Sequence, residues 1–335
     1  MTTVDRDLPT MKILQPILKP YTRSDILKAT GQLLNSLVPY LLFYAVMFWS
    51  LRFPYWFTLL LSIPAALFMM RTFILFHDCG HNSFFPSHKV NRIVGFFLGV
   101  VTFTPSEQWW RTHAIHHATS GNLEKRGVGD VMTWTVSEYR EKSKMERLGY
   151  RLFRHPLVMF VLGPIWIFIF RNRMATPFVG KRELRFQWLH NLVLASIIVI
   201  LGLTVGWKAY LLVQLPIIWI GGFMGIWLFY LQHQYEDVYW ANNEDWNYVA
   251  SALQGASYYK LPRILQWFSG NIGFHHIHHL SPAIPNYQLD HCYYDNEIFQ
   301  KEVKTITLGQ GIRSIGLDLI DESSGKLVRV RDVIL

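Results

Sequence analysis

The chain has 335 residues, 51% of them hydrophobic and only 16% charged, well short of the roughly one quarter charged that is usual for a soluble domain. Its two cysteines, Cys79 and Cys292, exclude a disulfide framework, a CxxC redox or zinc pair, and an iron–sulfur cluster held by one chain. The net charge of +9 comes without a nucleic-acid module and with basic residues beside apolar segments, which points to an anionic membrane surface.

In chain order, residues 1–32 are largely polar and charged, so no cleavable signal peptide is expected. Residues 33–51 and 54–76 approach the ~20 apolar residues that cross a bilayer, the second interrupted only by Arg71 near its end. Residues 94–103 make about half a span, and 157–170 form a short run containing Pro164. Residues 189–207 and 209–231 are two further spans, separated by little more than Lys208. No low-complexity tract or solenoid period is present.

Between these runs stand three dense groups of histidine. HDCGH carries His77 and His81, HAIHH carries His113, His116 and His117, and GFHHIHHL carries His275, His276, His278 and His279. Side chains at i, i+3 and i+4 share one helix face, so each group can turn several imidazoles to one point. Imidazole at this density points to metal. His233 in LQHQYED, at the end of the fourth long run, is a further contributor. Eight or nine imidazoles, leaving out His276, are too many for one tetrahedral zinc but suit two octahedral ions with a position left open; ligand type alone does not choose among iron, copper and zinc.

A shared site also constrains topology, because an even number of crossings must separate each pair of groups. On that count 94–103 dips into the interface and returns, 157–170 lies along the surface, and the four long runs form two hairpins. The segment 111–185 is dense in Lys and Arg, whereas the turns on the opposite face hold little beyond Arg52 and Lys208. Positive loops stay cytoplasmic, which puts both termini and every histidine group on that side. The expected fold is an all-α membrane protein with four transmembrane helices, short interfacial helices and a helical cytoplasmic cap. It is read as one domain over 1–335: an N-terminal segment 1–32, a hairpin 33–76, two histidine groups in 77–188, a hairpin 189–231, and the third group with the tail in 232–335.

HDCGHNSFF, HAIHHATSGNLEKRGVGD, LQHQYEDVYW and GNIGFHHIHHLSPAIPNY together resemble the integral-membrane fatty acid desaturases, most closely the bacterial enzymes acting on acyl chains of membrane phospholipids; the similarity runs over about residues 30–295. The resemblance implies a di-iron centre in which HxxxH, HxxHH and HxxHH supply His77, His81, His113, His116, His117, His275, His278 and His279, with His233 as the extra ligand. It implies dioxygen as co-substrate, iron cycling between Fe2+ and Fe3+, and a cis double bond placed in a saturated chain for unsaturated fatty acid biosynthesis and membrane fluidity. It also implies ferredoxin or flavodoxin as separate electron donor, since no cytochrome b5 signature is present, and a multi-pass protein of the cell membrane. A hydroxylase of the same superfamily is the alternative within that chemistry. A haem electron carrier would place paired histidines within facing spans, and a metal transporter would place polar residues at mid-membrane; neither pattern is prominent here.

Around the ligand set, His276 falls outside HxxHH and is expected to be a neighbour. His88, His155, His190 and His291 stand alone, and Cys79 is expected to pack. Asp78, Glu107, Asp130, Glu236 and Asp237 are candidates to orient ligand rings through their outer N–H groups, or are solvated charges. Trp109–Trp110 and Phe84–Phe85 would line an acyl channel or anchor helices at the interface; Lys125–Arg126 beside Gly127 and Gly129 would hold a phospholipid head group or form a solvated turn.

Overall fold

The computed structural model describes residues 8–301 and 303–333. After a short helix α1 (Met11–Leu18), Asp25 caps α2 (Ile26–Ser50) by accepting from the Leu27 and Lys28 amides at 2.8 and 3.1 Å. Those are donors that a helix start leaves free. α3 (Trp56–Gly80) returns along α2. Among the described residues, four helices are long and apolar enough to cross a bilayer: α2, α3 and, farther along, Lys181–Thr204 and Trp207–His233. Of the most apolar stretch of α3, 61% is buried, against 22% for α2 and for Lys181–Thr204, so α3 is the central helix and the others turn their apolar surface outward.

α4 (His88–Val101) starts at Ser87, whose hydroxyl accepts from the Val90 amide at 3.4 Å, and stops where Phe103 takes φ 56°. The chain then re-enters α5 (Ser106–Thr119), which runs back beside α3. At ~1.5 Å per residue neither helix crosses a bilayer. Residues 94–101 are therefore the second half of a helix packed on α3, with Gly99 close to Phe76, and 102–103 form the turn that ends it.

α6 (Val136–Glu141) and α7 (Lys144–Arg154) lead into α8 (Leu157–Arg173), bent 58° from α7. α8 consists mostly of π turns. One side of it follows the last membrane helix: the Phe160 and Tyr230 rings sit 5.3 Å apart, and Phe168 packs over Gly222.

α9 (Lys181–Thr204) and α10 (Trp207–His233) meet at Val205–Gly206, with Gly206 at φ 89°. The sequence placed this turn at Lys208. The left-handed backbone that glycine adopts without strain fixes it two residues earlier, and Trp207 and Lys208 begin α10 instead.

Beyond α10 the chain builds the cap from α11 (Tyr248–Leu253), α12 (Arg263–Phe268), α13 (His275–Leu280) and α14 (Asn286–Asp295). Short strands close it. β1 (Trp134–Thr135) pairs in parallel with β4 (Leu319–Asp321), which pairs antiparallel with β5 (Lys326–Val328). β2 (Tyr258–Lys260) pairs in parallel with β3 (Thr305–Thr307). These pairings stitch the C-terminal segment back onto the cap. Arg71, which interrupts the second apolar run, is buried; its guanidinium donates to the Trp267 carbonyl and lies 3.9 Å from the centre of that indole, tying α12 to α3. Behind α13, Leu14, Leu18, Leu253, Phe274, Ile277 and Leu289 share one apolar cluster. At about 1.5–3 kcal/mol for each buried side chain of this kind, that cluster holds a six-residue helix which could not persist alone.

Candidate metal centre

Four helix segments converge on one point above the membrane helices. His77 lies in the last turn of α3 and His81 caps its C-terminus. α5 supplies His113, His116 and His117, α13 supplies His275, His278 and His279, and His233 is the last residue of α10. All nine expected ligands meet, in two groups: His77, His81, His113, His117 and His278 in one, and His116, His233, His275 and His279 in the other. Within each group one ring nitrogen of every histidine lies within 4.8 Å of those of the others. Helix periodicity explains the sorting. Neighbouring residues point ~100° apart, so the i and i+4 members of HxxHH enter one group and the i+3 member enters the other. Thus His113 and His117 part from His116, and His275 and His279 part from His278.

The Nε2 atoms approach as ligand atoms do. His113 and His117 are 3.1 Å apart, His117 and His278 3.0 Å, His116 and His233 3.2 Å, His233 and His275 2.9 Å, and His275 and His279 3.1 Å. A metal ~2.1 Å from each of two imidazole nitrogens at a right angle would set them about 3.0 Å apart. His77 Nε2 and His81 Nε2 are buried without a hydrogen-bond partner among the described residues, a costly arrangement unless an ion occupies the space they face. The donor set therefore fits two metal ions.

The outer nitrogens of three rings are fixed. His77 Nδ1–H donates to Asp78 Oδ1 at 3.0 Å, His116 Nδ1–H donates to Asp130, and His233 Nδ1–H donates to the Gly255 carbonyl at 3.0 Å. Each bond leaves Nε2 with its lone pair turned inward. Asp78 is held in turn by the backbone and side-chain N–H groups of Asn286 at 2.7 and 2.9 Å. Asp130 reaches His116 because Gly129, at φ 72°, lets the loop pass close: a Cβ there would sit 3.0 Å from His116 Cβ. Burial, reinforced by the neighbouring rings, holds His81, His113, His117, His278 and His279 well below the ordinary imidazole range. The rings are thus neutral, the form that binds metal.

Residues 32–306 match the family model described as fatty acid desaturase. The chain is 44% identical over 315 residues to the fatty acid desaturase of Bacillus subtilis, covering 94% of this chain and 88% of that one. It belongs to the fatty acid desaturase family. More distant relatives include an sn-1 oleoyl-lipid 12-desaturase of Synechocystis, 24% identical over 85% of this chain and 81% of that one. An sn-1 acyl-lipid omega-3 desaturase (ferredoxin) of Nostoc is 24% identical over 65% of this chain and 61% of its own length.

In this desaturase family member an apolar cavity of about 540 Å3 runs between α3, α5, α8 and α10 and ends on His77, His113 and His275. Met69, Phe73, Ile74, Trp109, Leu228 and Phe229 line it, and Arg171 is the one Lys or Arg in its wall among the described residues. Trp109 stacks on His113 with ring centres 4.4 Å apart. Trp110 instead donates its indole N–H to the Phe76 carbonyl at 3.2 Å, and Phe84 and Phe85 pack in the core beside Leu98 and Tyr287, so these three aromatics are not channel walls.

Other expectations divide the same way. Asp78 and Asp130 orient ligand rings, but Glu107 pairs with Arg92 and Arg182 at 2.6 and 3.3 Å, Glu236 with Lys326 at 3.4 Å, and Asp237 with Lys304 at 2.8 Å. Each of these three carboxylates has a nearer cation than any histidine. Arg126 pairs with Glu138 in a hollow also walled by Glu124, Glu141, Glu146 and Glu322, surroundings that repel an anionic head group. Cys79 is buried against α4, as expected of a packing residue. His276 turns away from both groups, its Nε2 3.1 Å from the Phe299 carbonyl, and burial pushes it down to about 3. His88, His155 and His291 are exposed and His190 is buried within α9; none belongs to either group. The Gly255 carbonyl and Asn286 went unanticipated, because a backbone acceptor and a lone amide carry no signal in sequence.

Proposed function

We propose that this chain is an oxygen-dependent acyl-lipid desaturase that places a cis double bond in a saturated acyl chain of a membrane phospholipid. The observation that carries this reading is the apolar cavity ending on three box histidines. A saturated chain offers neither an acidic proton nor a leaving group, so removing its hydrogens calls for a metal–oxygen oxidant. In this reading His77, His81, His113, His117 and His278 hold one iron ion, and His116, His233, His275 and His279 the other. Bound iron at these two groups would supply the oxidising chemistry by which dioxygen, two electrons and two protons take two hydrogens from the chain, giving the double bond and two waters. The protein's own residues do the positioning. Asp78, Asp130 and the Gly255 carbonyl keep the outer protons in place, while Phe73, Ile74 and Leu228 hold the chain and exclude water.

A lipid-bound chain is supported by Leu162 and Trp166, which line the cavity yet are 60% and 55% exposed on a side of α8 flanked by membrane helices. They offer a lateral way in from the bilayer. The cyanobacterial relatives are named for acyl-lipid substrates, and one for ferredoxin. Ferredoxin or flavodoxin is accordingly the proposed electron donor. The excess of Lys and Arg in 111–185 supports a cell-membrane protein whose site faces the cytoplasm. The strand pairs joining 134–135 to 319–328 support one domain for the whole chain. Expression in a desaturase-deficient host, with gas chromatography–mass spectrometry of phospholipid acyl chains, tests the reading. Loss of two hydrogens, one from each of two adjacent chain carbons, is expected; gain of an oxygen would make the protein a hydroxylase, and an unchanged lipid profile would overturn the proposal.

A further inference from the structure

Three glycines sit close together on α10, and two of them have a packing reason. A Cβ on Gly221 would lie 2.3 Å from Met69 Cε, and one on Gly222 would lie 2.9 Å from Pro164 Cβ and Phe168 Cδ2. Gly225 has none. Among the described residues, its chain neighbours and the surrounding turns of its own helix backbone aside, no heavy atom lies within 4 Å of where its Cβ would stand. Glycine in a helix interior is unfavourable relative to alanine, and an apolar helix facing empty space gains nothing from leaving that space unfilled. Gly225 lines the acyl cavity, in one stripe with Leu228, Gln232 and Gly221. Two turns and a fraction of helix, ~12 Å at 1.5 Å per residue, separate it from His233.

We propose that Gly225 is the size gate of the acyl cavity: the substrate chain lies over its bare Cα, and the missing side chain sets which acyl lengths can place a bond at the histidine centre. The inference rests on the desaturase reading above. A side chain at 225 projects into the cavity, since no protein atom lies there to deflect it. Alanine fits within the free space. Valine, leucine and phenylalanine narrow the passage by increasing amounts, and the part of the chain lying beyond position 225 must shorten to match.

The test expresses wild type, Gly225→Ala, Gly225→Val, Gly225→Leu and Gly225→Phe in a desaturase-deficient host supplied with saturated acids of graded length. Phospholipid products are read by gas chromatography–mass spectrometry, with protein level and iron per chain measured alongside. Gly31→Leu is the control, a membrane-helix glycine that is also free of neighbours within 4 Å but exposed on the outside of α2. The expected result is a graded shift. Alanine keeps the wild-type spectrum, whereas leucine and phenylalanine lower conversion of the longest accepted chain at least tenfold relative to shorter ones, or move the double bond, with iron per chain unchanged. Gly31→Leu leaves the spectrum alone. A leucine variant with normal iron, the wild-type length spectrum and the wild-type double-bond position overturns the size gate. Should phenylalanine fail to accumulate, the alanine–valine–leucine trend decides. Wild type making no double bond in any chain would instead overturn the desaturase reading, and this inference with it.

Discussion

Asp130 accepts the Nδ1 proton of His116 although 14 positions separate them, and Asp78 does the same for His77, its neighbour in sequence, at 3.0 Å. The two carboxylates serve different groups, His77 belonging to the five-histidine set and His116 to the four-histidine set. A carboxylate on the outer nitrogen fixes the ring's rotation and makes its inner nitrogen a better donor. Asp130→Asn, which retains shape but loses charge, is expected to lower desaturation or metal affinity by about 10- to 100-fold, the usual effect of losing such a partner. Iron per chain and product yield check it; a variant with both at wild-type values would leave Asp130 with no orienting role.

A second prediction separates histidines inside the groups from the one that turns away. His116→Ala and His278→Ala each remove a nitrogen from a cluster of close Nε2 contacts and are expected to abolish desaturation with loss of iron. His276→Ala should behave differently, because its ring bonds the Phe299 carbonyl and packs near Tyr293. It leaves a buried acceptor without a donor, at a cost of about 1–3 kcal/mol. A lower thermal midpoint with unchanged iron per chain is expected, measured by differential scanning fluorimetry and elemental analysis. Iron loss in a variant of normal stability would put His276 among the ligands.

Much of this arrangement was legible in the sequence because its signals are local. Four long apolar runs became α2, α3, α9 and α10, and HxxxH and HxxHH read as shared helix faces, which they are. What distinguishes Asp130 from Glu107 is not local. Asp130 reaches its histidine only because Gly129 takes a positive φ against α5, whereas Glu107 lies between Arg92 and Arg182, brought to it from other helices. The assignment of α8 was likewise beyond composition. A short apolar run with a proline reads the same whether it floats at an interface or lines a cavity, and only packing on α10 decides.

Topology yields a third prediction. Single cysteines placed at Pro20, Lys125 and Gln310, all exposed, should react with an impermeant maleimide only when the cytoplasmic face is opened. The native Cys79 and Cys292 are buried and give little background. The expectation follows from the convergence of histidines from α3, α5, α10 and α13 on one site, which forces their helix ends onto one face, together with the Lys and Arg excess of 111–185. Labelling of position 125 from the outside of intact cells would reverse the orientation.

The fourth prediction concerns His233, the ligand candidate outside the three boxes. Its Nε2 lies 3.2 Å from that of His116 and 2.9 Å from that of His275, and its Nδ1 is fixed by the Gly255 carbonyl at 3.0 Å. The four-histidine group reduced to His116, His275 and His279 would have three donors, whereas the five-histidine group would keep its full set. On the proposed di-iron reading, His233→Ala should therefore lose iron unevenly, falling from about two ions per chain toward one, and should make no product, because the proposed chemistry draws on both ions. His113→Ala, which thins the other group, should spare the ion that His233→Ala loses. Elemental analysis of anaerobically purified protein reads the stoichiometry, and an immunoblot guards against mistaking misfolding for metal loss. Retention of two irons and wild-type desaturation in His233→Ala would remove His233 from the site and leave the centre to the eight histidines of the three boxes.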